Sequence, residues 1–281
     1  MLRIDAHHHF WKLSRDDYSW LTPDLDVLYR DFLVSDIQPL LTQAKMDGTI
    51  LVQAADTIEE THFMLELAAE HDWILGVVGW VDMEAANAPE VIRELSQNPK
   101  LVGIRPMIQD IEDDEWMLQD NLRPAIQALI DNNLTLDLLV QPRHLPHLKT
   151  FLSRYPDLRA VIDHGAKPDI RNKAIETWSQ HVGDIARTSN VCCKLSGLLT
   201  EASENAEIED IAPYAFHILK CFGPERVMFG SDWPVLLLAN TYQNWVDMVE
   251  QLTADLPQAD WEAIFGGTAA KFYLTKTMET L

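Results

Sequence analysis

Residues 2–11 read Leu-Arg-Ile-Asp-Ala-His-His-His-Phe-Trp, a short apolar run that ends in three histidines. The run predicts a strand over 2–6 that delivers His7, His8 and His9 at its C-terminal end. Side chains alternate in extended chain, so His7 and His9 share a face and His8 takes the opposite one. Seven more short runs rich in β-branched residues follow, at 49–53, 74–81, 101–105, 134–140, 160–164, 191–196 and 227–231. They are nearly continuous in apolar character, as parallel strands covered on both faces are. Helix-period stretches separate them, at 35–46, 57–71, 88–97, 121–132, 142–154, 173–187, 208–221 and 242–252, and one more at 259–273 closes the chain. Ser35 before Asp36 reads as an N-cap with an acidic first turn, and Thr57 with Glu60 as a capping box. Strand then helix, repeated eight times over 281 residues, predicts an α/β fold: a (β/α)8 TIM barrel in a single domain spanning 1–281. A doubly wound open sheet has the same alternation and is the competing fold. Residues 12–32 stand apart as a long aromatic segment with Tyr18, Trp20, Tyr29 and Phe32, suited to a lid or to packing under the rim.

A barrel places its active site at the C-terminal ends of its strands. There the sequence puts His7-His8-His9, Gln53 and Asp56, Trp80 and Asp82, Arg105, Asp137 and Gln141, His164, Lys194 and Ser196, and Asp232 and Trp233. Two imidazoles at i and i+2 can converge on one ion or one water, and imidazole is both a common metal ligand and an acid–base group near neutral pH. A hydrogen-bonded core pair is the plainer alternative. Taken alone, His164 reads as strand-end packing and Asp232 as a turn residue. Taken together, the histidine pair, His164 and Asp232 fall on strands one, six and eight of one rim, which packing alone does not explain.

The formal net charge is −22, from 22 Lys and Arg against 44 Asp and Glu, at ordinary globular hydrophobicity (47%). This balance argues against nucleic-acid partners and anionic membranes, both of which need a basic face. No run approaches the roughly 18 apolar residues of a membrane span, and no apolar leader is visible at the start. Cys192, Cys193 and Cys221 are odd in number, and adjacent cysteines on a strand point apart, so no disulfide framework is expected. A reducing cytoplasm fits that reading.

The stretches 5–11, 76–82 (GVVGWVD), 101–114 (LVGIRPMIQDIEDD), 136–140, 155–168 (YPDLRAVIDHGAKP), 193–201 (CKLSGLLTE) and 222–235 (FGPERVMFGSDWPV) resemble the amidohydrolase superfamily, and within it the sugar-lactonase branch. The resemblance implies a (β/α)8 barrel that opens the ring ester of a sugar acid by base-activated water attack. It implies His7, His9, His164 and Asp232 as candidate metal ligands and Asp232 as the base that activates water. His164 and Lys194 join Asp232 as catalytic residues. Arg105, Asp137 and the rim tryptophans Trp11, Trp80, Trp116 and Trp233 are candidate substrate contacts. Two-metal members of the superfamily carry a bridging Lys or Glu on strand four and a histidine on strand five, whereas this chain offers Arg105, then Asp137 and Gln141. One divalent ion, zinc by its ligand types, or a reaction without metal, follows. Thr268 in Gly266-Gly267-Thr268-Ala269-Ala270 replaces the Asn usual in a related motif. The partner expected is a small sugar lactone, with a homo-oligomer open. The rival functions are a metal-dependent decarboxylase of the same superfamily and a non-catalytic barrel that binds sugar acids.

Overall fold

The structure is a computed structural model that describes residues 2–275, so the ends of the expected 1–281 domain lie outside the described residues. Eight parallel strands run in chain order: β1 (Ile4–His8), β2 (Gly48–Val52), β3 (Ile74–Gly79), β4 (Leu101–Ile104), β5 (Thr135–Leu138), β6 (Ala160–Ile162), β7 (Cys192–Leu195) and β8 (Val227–Phe229). Each pairs with the next, and the ring is completed by a parallel bridge between His8 at the end of β1 and Trp233 beyond the end of β8. The doubly wound alternative is thereby excluded, since its strand order is permuted. The helices between the strands are α1 (Val34–Gln43), α2 (Ile58–Glu70), α3 (Ala88–Leu95), α4 (Arg123–Asp131), α5 (Leu145–Arg154), α6 (Glu176–Thr188) and α7 (Ile208–Phe222), with α8 (Tyr242–Leu252) after β8. Among the described residues no helix is long and apolar enough to cross a membrane.

The expected caps are partly realised. Thr57 caps α2 by accepting the Glu60 N–H at 3.2 Å. Helix α1 starts at Val34 rather than after Ser35, and Asp36 is the capping group, accepting the Leu33 N–H at 3.0 Å. The last expected helix is broken into α9 (Gln258–Glu262), a wide turn over Ala263–Gly267, and α10 (Thr268–Tyr273). The break lets the chain pass against β1: a Cβ on Gly266 would lie 1.9 Å from the Leu2 carbonyl oxygen.

Two apolar layers enclose the strands. Ile50, Val52, Val78, Val102, Val161, Cys192 and Met228 pack together with Ala269 and Tyr273 of α10, which close the N-terminal end of the barrel. The larger cluster lies between strands and helices. Above the first layer the barrel axis turns polar. The Tyr273 hydroxyl donates to Asp137 Oδ2 (2.7 Å), and Lys194 Nζ lies 2.6 Å from the same oxygen. A stack of polar groups thus runs from α10 to the C-terminal rim.

Candidate active site

β1 decides the geometry. Its pairing with β2 slips between Asp5 and His8, where three steps on β1 face two on β2. Such a bulge re-aims side chains. Asp5 therefore points outward, where its carboxylate accepts from the Tyr242 hydroxyl of α8 (3.0 Å) and from the Ser231 N–H (2.8 Å). His7, two residues on, points into the barrel and meets His9, their Nε2 atoms 3.1 Å apart. His8 faces Thr49 Oγ1 at 2.9 Å and plays no part in the cluster. Asp5 joins the ends of β1 and β8, and burial raises its carboxyl to about 6.

Asp232 Oδ1 lies 3.2 Å from His9 Nε2 and 3.7 Å from both His7 Nε2 and His164 Nε2. His164 and Asp232 both hold left-handed backbone (φ 53° and 58°), a strained state common at functional sites. Gly197 makes room for His164: its φ is +64°, and a Cβ there would come within 2.6 Å of His164 Nδ1. Burial lowers all three imidazoles, His164 to about 4 and His7 well below its usual value. Burial opposes ionisation of Asp232, but the facing imidazoles outweigh it and hold this carboxyl well below the usual range. Burial thus favours neutral rings around the Asp232 carboxylate, with Asp163 a second carboxylate 3.4 Å from His7 Nδ1.

That arrangement suits a cation. His9 Nδ1 donates to the Val52 carbonyl (2.8 Å), so the neutral ring turns a lone pair on Nε2 towards the Asp232 carboxylate, acceptor against acceptor. Lone pairs facing one another in a buried site need a proton or a metal between them. His7, His9 and Asp232 form one metal-capable trio and His7, Asp163 and His164 another. Three imidazole nitrogens with a carboxylate oxygen match the ligand types of zinc.

Beneath this layer Lys194 is fully buried. Its Nζ lies 3.0 Å from His7 Nδ1, 3.0 Å from Asp163 Oδ1 and 2.6 Å from Asp137 Oδ2. Burial would raise Asp163, yet the charge of Lys194, with His7 and Arg105, holds it well below the usual carboxylate range; Asp137 is pushed up by burial. Neither Lys194 nor Asp137 lines the cavity, so Asp137 is not a substrate contact there, and Lys194, expected to be catalytic, meets the cluster from below at His7. Two carboxylates occupy the ammonium.

A cavity of about 210 Å³ opens above the cluster, lined by His9, Arg105, His164 and Asp232 together with Trp20, Leu25, Met107, Gln109, Lys167 and others. Arg105 is nearly buried. Its guanidinium donates to the Gln53 carbonyl and lies 3.5 Å from both Asp163 Oδ2 and His7 Nε2. The four expected tryptophans do not line this cavity. Trp11 is buried, donates to the Arg30 carbonyl and packs edge-on against Phe32; Trp233 is buried against Phe32 and Phe10. Trp80 and Trp116 border a separate depression of about 250 Å³ that meets the first at Met107. Residues closing a ring of loops must pack as well as bind: Trp11 and Trp233 pack, while Trp80 and Trp116 face the neighbouring depression. Asp163 and Trp20 stand at the site without being among the residues expected there. Asp163 had a signal, a charge ending the apolar run Ala160-Val161-Ile162; Trp20 belonged to the aromatic 12–32 segment without being singled out.

The amidohydrolase family profile matches residues 4–274. An L-fucono-1,5-lactonase of Burkholderia ambifaria is 43% identical over 275 residues, 96% of this chain and 95% of that protein. Another L-fucono-1,5-lactonase, of Burkholderia multivorans, is 37% identical over 284 residues, 97% of this chain and 96% of that one. A crystal structure of an amidohydrolase from Burkholderia multivorans with bound zinc superposes with a TM-score of 0.93 at 36% identity, covering 98% of this chain and 99% of that one.

Proposed function

The chain belongs to the amidohydrolase family, and from that premise we propose that its histidine–aspartate cluster opens the ring of a sugar 1,5-lactone, with L-fucono-1,5-lactone as the substrate to test first. The protein is a hydrolase acting on a lactone ester. The observation that carries the mechanism is the Asp232 carboxylate at the floor of the cavity, with three imidazole nitrogens 3.2–3.7 Å from its Oδ1 atom and Arg105 on the same cavity wall. Asp232 takes a proton from water as the water oxygen bonds to the ring carbonyl carbon. Arg105 turns its guanidinium to the oxygen on which negative charge grows. The bond from the carbonyl carbon to the ring oxygen then breaks, and the proton on Asp232 passes to that oxygen. The product acid ionises into solvent. Asp163 and Lys194 set the orientation of His7 from beneath, as partners of site histidines commonly do.

One divalent ion, zinc by donor type, would be held by His7, His9 and Asp232 with His164 beside them. When bound it supplies Lewis acidity to the carbonyl side of the reaction. The reading also takes the protein as cytoplasmic, in keeping with three unpaired cysteines. The decarboxylase rival is not favoured, because the relatives at 43% and 37% identity are both L-fucono-1,5-lactonases. The test is a pH-indicator screen of a sugar-lactone panel, on protein of measured metal content, with carbon dioxide release from aromatic acids followed in parallel. Turnover of L-fucono-1,5-lactone supports the reading. Carbon dioxide release without lactone opening overturns it.

A further inference from the structure

Three successive carbonyls at the end of β2 each accept a bond from a side chain of the cavity. Val52 accepts from His9 Nδ1 (2.8 Å), Gln53 from the Arg105 guanidinium, and Ala54 from Trp20 Nε1 (2.7 Å). This short strap orients two members of the reacting cluster and one aromatic side chain that no strand supplies. Trp20 comes from the 12–32 segment, stands edge-on to Trp11 (centroids 5.3 Å apart, planes at 86°), and lines the cavity alongside Asp232 and His164. Its ring is held at two points, by the bond to Ala54 and by Trp11, while it remains half-buried rather than packed away. The four tryptophans first expected to meet substrate do not line this cavity.

The strap is itself held from behind. Glu60 of α2 is fully buried and accepts the Ala54 N–H at Oε1 (3.0 Å) and the Tyr18 hydroxyl at Oε2 (2.9 Å). Tyr18 lies two residues before Trp20. Arg15 donates to the Tyr18 oxygen (3.1 Å) and lies 3.4 Å from Glu60 Oε2, and Thr57 Oγ1 donates to Asp17 (2.8 Å). One carboxylate therefore ties the 12–32 segment to the strap at the point where Trp20 docks. Nothing about Glu60 as a helix residue requires this: a carboxylate with no exposure is costly unless its bonds do something specific.

Resting on the lactonase reading, we infer that Trp20 is a specificity-determining residue that presents its ring to the C–H face of the sugar lactone, and that Glu60 is the positioning residue that holds it there through Ala54 and Tyr18. Sugar rings and aromatic faces meet through apolar C–H surface, and a ring already fixed loses little freedom on binding. The pair acts on substrate placement rather than on proton transfer, so the expected signature is in KM.

The experiment is steady-state hydrolysis of L-fucono-1,5-lactone by variants of the full chain, with thermal midpoints measured in parallel. Trp20→Ala should raise KM about tenfold and leave kcat within about threefold. Trp20→Phe keeps an aromatic face and should return KM to within about threefold of wild type. Glu60→Ala should reproduce the KM rise, and Glu60→Gln, which can still accept the Ala54 N–H, should recover most of it. Tyr29→Ala, an exposed aromatic on the same segment, should change neither constant. Where Trp20→Ala proves too unstable to assay, Trp20→Leu carries the same comparison with Trp20→Phe. L-Fuconate should also change the tryptophan fluorescence of wild type and lose most of that effect in Trp20→Phe. An unaltered KM in Trp20→Ala, or equal losses in Trp20→Phe and Trp20→Ala spread over kcat and KM, overturns the platform alone. Wild-type protein that neither opens the lactone nor binds L-fuconate overturns the lactonase reading and the platform with it.

Discussion

Replacing Asp232 by Asn removes one negative charge and one proton acceptor and almost no volume. Three imidazole nitrogens stand 3.2–3.7 Å from the Oδ1 atom concerned, and an amide nitrogen placed there can donate to the lone pair of His9. The fold should therefore survive, with the thermal midpoint close to wild type. What the amide cannot do is take the proton of an attacking water. A positioned general base is worth about 10²–10⁴ in rate. At 1.36 kcal/mol per decade that is about 2.7–5.4 kcal/mol of lost barrier lowering. We expect kcat to fall by two to four decades, with KM within about threefold because the ring-binding walls are untouched. The assay is initial-rate lactone opening with a pH indicator, with spontaneous hydrolysis subtracted at each pH. A variant that keeps kcat within tenfold of wild type, or loses only in KM, would refute Asp232 as the base.

Three further outcomes follow from the same geometry. Arg105→Ala should lower kcat by about 10²–10³ with a smaller change in KM, as expected for a group that meets the growing oxyanion; an unchanged kcat assigns Arg105 to support of Asp163 and the strap. Gly197→Ala puts a methyl 2.6 Å from His164 Nδ1 at a left-handed position, and should lower both kcat and the thermal midpoint by displacing that ring from Ser196; normal kinetics would show that His164 has slack. Stability of the metal-free protein should fall as pH drops from 7 to 5. Burial lowers His7, His8 (to about 3), His9 and His164 (to about 4), so below about 6.5 the unfolded chain takes protons that the folded one refuses. Glu60 and Asp5, raised by burial to about 7 and about 6, act in the opposite sense, since their folded forms hold protons that the unfolded chain has released. Asp137, also raised by burial, joins those carboxyls, and His144, also lowered by burial, joins the imidazoles; five imidazoles outweigh three carboxyls, and a thermal midpoint higher at pH 5 than at pH 7 would contradict this.

The barrel was legible because its strands are buried on both faces and announce themselves as short apolar runs, each ending in a group with chemistry to offer. His7, His9, His164 and Asp232 could be placed on one rim from that pattern alone, and the structure brings them within hydrogen-bonding or metal-sharing distance. The alternation rule gave the right partners for a partly different reason: the bulge in β1, invisible in sequence, turns Asp5 outward and His7 inward. Depth along the barrel axis was equally invisible. Lys194 and Asp137 sit at strand positions that look like rim positions, yet one lies a layer below the cavity and the other beneath it, because a short strand does not reveal its stagger. The tryptophans show the limit of reading aromatics by sequence position. A ring near a rim either packs or binds according to which loop covers it, and the covering segment here, 12–32, reaches the cavity through Trp20 and buries Trp11 on the way.

In the proposed reaction, enzyme-activated water attacks the ring carbonyl of a sugar lactone. Its most direct test is L-fucono-1,5-lactone opening in ¹⁸O-labelled water, at enzyme concentrations where turnover far exceeds spontaneous hydrolysis, with the product sugar acid read by fragment mass spectrometry. One ¹⁸O per molecule is expected, located in the carboxylate. Label in the hydroxyl released from the ring would contradict attack at the carbonyl, and labelled product no faster than the enzyme-free control would contradict the assignment as a lactonase.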